Sequence, residues 1–414
     1  MNFKINYTYL LKYILILIPI GLVTGPFIPD LFASIIGLFA LFYILKNSNY
    51  SYFKNKYVQT FILFFIFMLI ASFFSDDRFY SYSSSLFYFR FIFFIIGISI
   101  ILLLNSDIYV KLFYLLYFTF LIIFIDVIFE TIFGYNLIGN TSALDHRISS
   151  FFDDELIVGS YIVRLTPLLL ALLYKVNFSN NKINFILVSI FSMTIFITLL
   201  SGERTALFMS FLLIFAWVIL GDISKYFKLL ITVIIIFIIG VTISISNTTK
   251  ERVFSSTIDS FNINGEEKYI FSQIHQSHYL TSINIIKDNL LNGIGPKMFR
   301  FKCNDTKYNI NQYSCATHPH NFYIQTLLET GIPGFIILLS FYLSICILLL
   351  KHTYLRYFKL TNLFNNYQLL LMISIIINFF PIMPSGNLFN NWMSVIIYLP
   401  IGFLLSDFIK EKDF

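Results

Sequence analysis

The chain has 414 residues, 57% of them hydrophobic and 12% charged, with a formal net charge of +6. A mean hydropathy of +0.78 excludes an ordinary soluble domain, which has no use for so much apolar surface. The positive balance does not mark a nucleic-acid binder, because no patch of Lys and Arg interleaved with aromatics appears.

Apolar runs long enough to cross ~30 Å of hydrocarbon recur along the chain. They are continuous rather than alternating, so they read as helices and not as barrel strands. Twelve spans are predicted, at about 10–24, 31–45, 57–74, 84–104, 111–132, 157–174, 183–200, 205–220, 229–246, 320–350, 367–383 and 388–407. The first has lysines before it and Pro26 and Pro29 after it, with no small-residue cleavage site. It reads as a retained span rather than a removed signal. Lysines and arginines from Lys4 and Lys12 through Lys175, Lys228 and Arg356 to Lys412 gather on one side, whereas the short loops of the other side hold Arg78, Arg147 and Arg204. That bias places both termini in the cytoplasm. The expectation is an all-α polytopic membrane protein. Residues 1–246 form nine helices, 247–318 a large outer loop, and 319–414 three more helices.

Ionisable residues inside spans are costly and must pair or line a wet cavity. Arg90, Arg164, Asp126 and Glu130 all fall in the outer parts of their spans. One reading pairs these arginines with Asp126 or Glu130; the other turns them toward an anionic substrate. The outer loop 133–156 carries Asp145, His146, Arg147, Asp153, Asp154 and Glu155, and the tight turn Ser201-Gly202-Glu203-Arg204-Thr205 adds a cation at the rim. Arginine suits phosphate because its planar fork donates two parallel hydrogen bonds.

In the large loop, Ser272 to Leu291 is amphipathic, with Tyr279, Ile283, Ile286 and Leu290 at helical spacing and a stop at Asn292-Gly293. Cys303 and Cys315 lie on the oxidising side, where a disulfide is the favoured reading and a free pair the other. Cys346 falls within span ten and reads as packing.

His318-Pro319-His320-Asn321 stands where the loop re-enters the membrane. Pro319 suits the first turn of a helix, which places His320 in that turn. The positive end of the helix dipole would keep the imidazole neutral, able to take a proton, while free N–H groups there favour a phosphate. Asn321, Gln325 and Glu329 recur four residues apart and form one polar stripe facing away from lipid. A metal site is the competitor, from the pairs His318/His320 and His275/His278 with the acids of 153–155. No His-Glu-x-x-His and no cysteine quartet occurs, and neither a Gly-x-Ser-x-Gly elbow nor a phosphate-binding P-loop is present.

His320-Asn321, nine residues, then Gly331-Ile332-Pro333-Gly334 resembles the signature of the O-antigen ligase family. The turn Ser201–Ala206, the segment Asp288-Asn289 with Gly293–Arg300, and the ending Phe380-Pro381, Pro384–Asn387 and Asn390–Trp392 are similar to that family as well. The resemblance implies a metal-independent, cofactor-free, inverting glycosyltransferase of the bacterial inner membrane, working at the periplasmic face. Its donor would be a glycan on undecaprenyl pyrophosphate. Its acceptor would be lipid A–core in a ligase, or a second lipid-linked repeat unit in a polysaccharide polymerase. By carry-over His320 is the base, with His318 a second candidate. Arg204 binds the leaving pyrophosphate, helped by Arg147 and Arg300. Arg90, Arg164, Asn321, Gln325 and Glu329 are further substrate-binding candidates. A lipid or solute transporter is the alternative of another class; against it, the polar groups cluster on the outer side rather than at the midplane.

Overall fold

The computed structural model describes residues 7–142, 147–245, 249–255 and 271–410. Among these residues the elements are helices and turns, with no strand. In chain order the helices are α1 (Tyr7–Val23), α2 (Phe27–Asn47), α3 (Lys56–Phe73), α4 (Arg78–Ser85), α5 (Arg90–Leu104), α6 (Ile108–Phe133) and α7 (Val158–Leu173). They continue as α8 (Asn180–Leu200), α9 (Arg204–Leu220), α10 (Lys225–Ile245), α11 (Gln273–Asp288), α12 (Phe322–Lys359), α13 (Asn366–Asn378) and α14 (Asn391–Lys410). Eight of the described helical stretches are long and apolar enough to cross a membrane; α7, α9, α13 and most of α1 are shorter apolar helices. Each of these segments overlaps one of the predicted windows, and the chain is an all-α polytopic membrane protein.

Burial sorts the helices. In α7 every residue except Ser160 is buried. It packs against α6, α8, α9 and α13 and forms the central post of the bundle. In α10, by contrast, only 17% of the apolar window is buried at a hydropathy of 2.7, the pattern of a helix whose side chains face lipid.

The loop-side ends of several helices carry polar groups that expected partners do not meet. Arg90 bridges Asp30 at 2.7 Å, and Asp30 also accepts from Asn391 Nδ2 at 3.0 Å. This ties α5 to α2 and α14. Asp126 accepts from Leu137 N–H (2.7 Å) and Ser150 Oγ (2.5 Å), and Glu130 from Ser149 N–H (3.2 Å) and Ser150 N–H (2.7 Å). Of the two readings open for these residues, the pairing of Asp126 or Glu130 with Arg90 or Arg164 is not the one found. Backbone N–H groups and the Ser150 hydroxyl of the loop after α6 satisfy both acids, and a buried carboxylate needs such partners more than it needs a distant cation.

The large loop is partly a folded unit. Ser272 caps α11, its side chain accepting from His275 N–H. The helix ends at Asp288, earlier than the expected stop at Asn292-Gly293. Its inward face is Ser277, His278, Tyr279, Thr281, Ser282, Ile285 and Ile286, whereas Ile283 and Leu290 are exposed. Ile285, Phe299, Cys303 and Tyr308 form a small core with Leu328 from α12. Cys303 and Cys315 are joined as a disulfide across a Cα–Cα distance of 5.2 Å.

α12 is broken at Gly331, whose φ of 68° and ψ of −172° are not helical. The break lets the 290–295 strand of loop lie edge-on against the helix. Ile294 N–H donates to the Leu328 carbonyl (2.9 Å), Gly295 N–H to that of Glu329 (3.0 Å), and Ile332 N–H to that of Leu290 (3.0 Å). The approach admits no side chain on either partner. A Cβ on Gly331 would stand 2.1 Å from the Leu291 carbonyl oxygen, and one on Gly293 would stand 2.6 Å from Gly331 N. The helix restarts at Ile332, and Pro333 fits its first turn because no N–H is needed there.

Candidate active site

Asn321, not Pro319, starts α12. Its backbone is extended, and its Oδ1 accepts from Tyr323 N–H and Ile324 N–H, both at 3.0 Å. A strong N-cap residue has overridden the preference of proline for the first turn. His320 therefore lies one residue ahead of the helix and not within its first turn. Its backbone is left-handed at φ 56°, and its carbonyl accepts from Ser385 N–H (2.8 Å) and the Tyr279 hydroxyl (3.2 Å). Because Asn321 takes the first free N–H groups, this helix end offers less to a phosphate than its sequence promised.

The cap also splices α12 to the segment after α13. Asn321 Nδ2 donates to the carbonyls of Pro381 (2.7 Å) and Met383 (3.3 Å). Gln325 Nε2 donates to Asn387 Oδ1 (2.8 Å) and Glu329 Oε2 (3.0 Å), and Gln325 Oε1 accepts from Leu388 N–H (3.0 Å). Glu329 Oε1 accepts from Phe299 N–H at 3.4 Å. Asn321, Gln325 and Glu329 thus form the expected stripe away from lipid, but the stripe is spent on holding backbone. None of the three, nor Arg90, lines the cavity described next.

That cavity has a volume of about 930 Å³. His318, His320 and His275 line it together with Arg147, Arg164, Arg204 and Arg300. Asp153, Asp154, Glu155 and Glu203 lie in the same wall, as do Thr24–Pro26 and the segment Pro384–Asn387. Apart from Arg164, which lies within α7, they come from helix ends and connecting segments, so helix packing brings residues from distant parts of the sequence into one wall. Arg164 is held on the buried post α7, where it donates to Asn378 Oδ1 of α13. Arg147 donates to the Leu156 carbonyl at 2.9 Å and Arg300 to that of Thr317 at 3.5 Å. The Nε atoms of Arg147, Arg164 and Arg300 are buried with no partner. Asp145 and His146 lie outside the described residues.

Four imidazoles meet at one side of the cavity. The ring centre of His320 is 4.0 Å from that of His318, 5.1 Å from His275 and 5.3 Å from His278. His275 and His278 come from α11, whose inward polar face sequence reasoning weighed only as a metal pair. Their spacing of three residues, on a helix otherwise turned inward, is the signal that could have placed them here. Among the described residues no group of three or more His, Cys, Asp or Glu is arranged to hold a metal.

Burial is the chief reason these rings stay neutral. It pushes His275 and His318 down to about 4 and His320 down to about 3, and the neighbouring imidazoles add to the effect. His278 is lowered for the same reason. The cause is desolvation and mutual repulsion, and not the helix dipole the sequence suggested. His318 has both nitrogens engaged. Nε2 faces the Ser385 carbonyl at 3.4 Å and must donate, so Nδ1 accepts from the Thr317 hydroxyl at 2.9 Å. The partners fix this tautomer. For His320 the Ser385 carbonyl opposes the downward shift that burial and the neighbouring rings cause.

No curated protein matches the chain. The family described as O-Antigen ligase matches residues 188–339, the stretch that holds Arg204, Arg300 and all four clustered histidines. Over that stretch the chain is similar to the O-antigen ligase family.

Proposed function

We propose that the protein is a membrane glycosyltransferase that moves a glycan from undecaprenyl pyrophosphate to an acceptor hydroxyl at the periplasmic face, and that the acceptor is lipid A–core. One observation carries the reading: His320 and four guanidiniums share the wall of one cavity. The acceptor hydroxyl gives its proton to the imidazole of His320 and attacks the anomeric carbon from the side opposite the phosphate. The glycosidic bond forms as the carbon–oxygen bond to phosphate breaks, with inversion. The pyrophosphate leaves on its carrier lipid, its charge met by Arg204, Arg147, Arg164 and Arg300. A neutral imidazole is the right starting state. Its low pKa makes it a weak acceptor alone, and the anionic donor beside it raises that value. The activated bond supplies the driving force, so the reading takes no nucleotide and no metal. Asn321, Gln325 and Glu329 have scaffold roles in it.

His320→Ala in proteoliposomes supplied with both lipids is expected to stay folded and lose transfer; transfer at the wild-type rate refutes the role of His320. A deletion strain separates ligase from polymerase. Polymer accumulating on the carrier lipid supports ligation, whereas single repeats attached to core support polymerisation.

A further inference from the structure

Glu203 lines the same cavity and has no part in the chemistry above. It precedes α9 but does not cap it. Its side chain crosses to α7, where Oε1 accepts from Gly159 N–H at 2.7 Å and Oε2 from Ser160 N–H at 3.2 Å. Ile157, which begins α7, offers no side-chain cap of its own. A second helix thus supplies the anion that a helix N-terminus favours. The junction is tight: a Cβ on Gly159 would stand 2.6 Å from Ser201 Oγ and 3.0 Å from Glu203 Oε1.

The same carboxylate is the acid whose charge reaches both Arg147 and Arg164. Neither forms an ion pair with it within 4.0 Å among the described residues. Both keep a buried Nε without a partner, and Arg204 follows Glu203 directly in the chain. Three guanidiniums in one wall repel one another, and a counter-charge in the same wall offsets that repulsion.

We propose that Glu203 is a positioning residue: it locks the α7–α9 junction and holds Arg147, Arg164 and Arg204 where the pyrophosphate of the donor docks. The idea rests on the function proposed above. It also carries a pH dependence. Burial raises the carboxyl above the ordinary glutamate range, opposed by Ser160, Arg147 and the two backbone N–H groups. Arg147 and Arg164 are the cations its charge reaches, and Arg204, Asp153, Asp154 and Glu155 share its wall. As pH falls through its titration the counter-charge disappears, and pyrophosphate binding weakens beyond what the ligand's own protonation causes.

The test is inorganic pyrophosphate binding to the purified full-length protein by calorimetry, for wild type, Glu203→Gln, Glu203→Asp and Arg204→Ala. Gln keeps an acceptor for Gly159 N–H and removes the charge. It is expected to weaken binding about tenfold, the misplaced guanidinium forks costing more than the removal of a like charge returns, and to flatten the acidic limb of the affinity profile. Asp keeps the charge with shorter reach and is expected to fall between the two; it serves as the test if Gln does not fold. Unchanged affinity in Gln with loss in Arg204→Ala makes Glu203 only a helix cap and overturns the proposal. Tighter binding in Gln makes it a competitor of the ligand and overturns it equally. If wild type binds no pyrophosphate, the donor reading falls and takes the proposal with it.

Discussion

Gly331→Ala is the sharpest test of how the fold is built. The residue has φ 68° and ψ −172°, a region that is essentially glycine-only and costs about 1–3 kcal/mol for any other residue. The new Cβ would stand 2.1 Å from the Leu291 carbonyl oxygen. That atom is backbone, held by the neighbouring pairing of Leu290 with Ile332 at 3.0 Å, so it cannot rotate away. Overpacking of this kind adds about 1–3 kcal/mol, for a total of roughly 2–6 kcal/mol. The segment 290–295 must lift off the helix, and Arg300 follows it closely in the chain. Gly240→Ala is the control: it lies within α10 and its Cβ would meet nothing within 4 Å, so stability should be unchanged or slightly raised. Thermal unfolding in detergent, followed by glycan transfer in proteoliposomes, reads both effects. A Gly331→Ala protein that melts with the Gly240→Ala control and transfers normally would show that the edge-on pairing is not what fixes this loop.

Two further outcomes follow from the site. The four clustered histidines are depressed in the folded state, with His275 and His318 near 4 and His320 near 3 against an unfolded value of 6.5. The unfolded chain therefore binds more protons over that window. The stability these rings support is present above about pH 6.5 and is lost as pH falls toward 4 and then 3. Melting temperature should decline across that range in wild type and decline less in a His275→Asn, His278→Asn double variant; equal slopes refute the assignment. Replacing Cys303 and Cys315 by serine opens a loop with a sequence separation of 12, a loss of up to about 3 kcal/mol in the chain-entropy picture. A lower melting temperature that a reductant reproduces in wild type is expected, and insensitivity to both would remove the disulfide from the account.

Much of this was legible in the sequence, for identifiable reasons. Continuous apolar runs mark bilayer-length helices whatever their partners, so the spans could be placed from hydropathy alone. The burial of the stripe Asn321–Gln325–Glu329 follows from helical period. What the stripe binds does not, because Asn387 and Pro381 are its neighbours only through packing. Arg90 illustrates the same limit: its counter-ion, Asp30, lies on another helix, and no local pattern links them. The start of α12 was misread because Pro319 and Asn321 compete for the same end, and the cap prevails. His275 and His278 were visible as a spaced pair, yet only the docking of α11 against residues 318–320 gives that pair a place beside His320.

The interruption at Gly331 has a mechanical consequence. Leu328 belongs to the small core of the loop unit, while the helix beyond Ile332 is anchored in the bilayer part of the bundle. The first turns of α12 are thus hinged to the rest of that helix and clamped to the extramembrane unit. His320, Asn321 and Gln325 are hydrogen-bonded to residues 381–388 as well, so those turns form a three-way splice between the loop unit, the rest of α12 and the segment after α13.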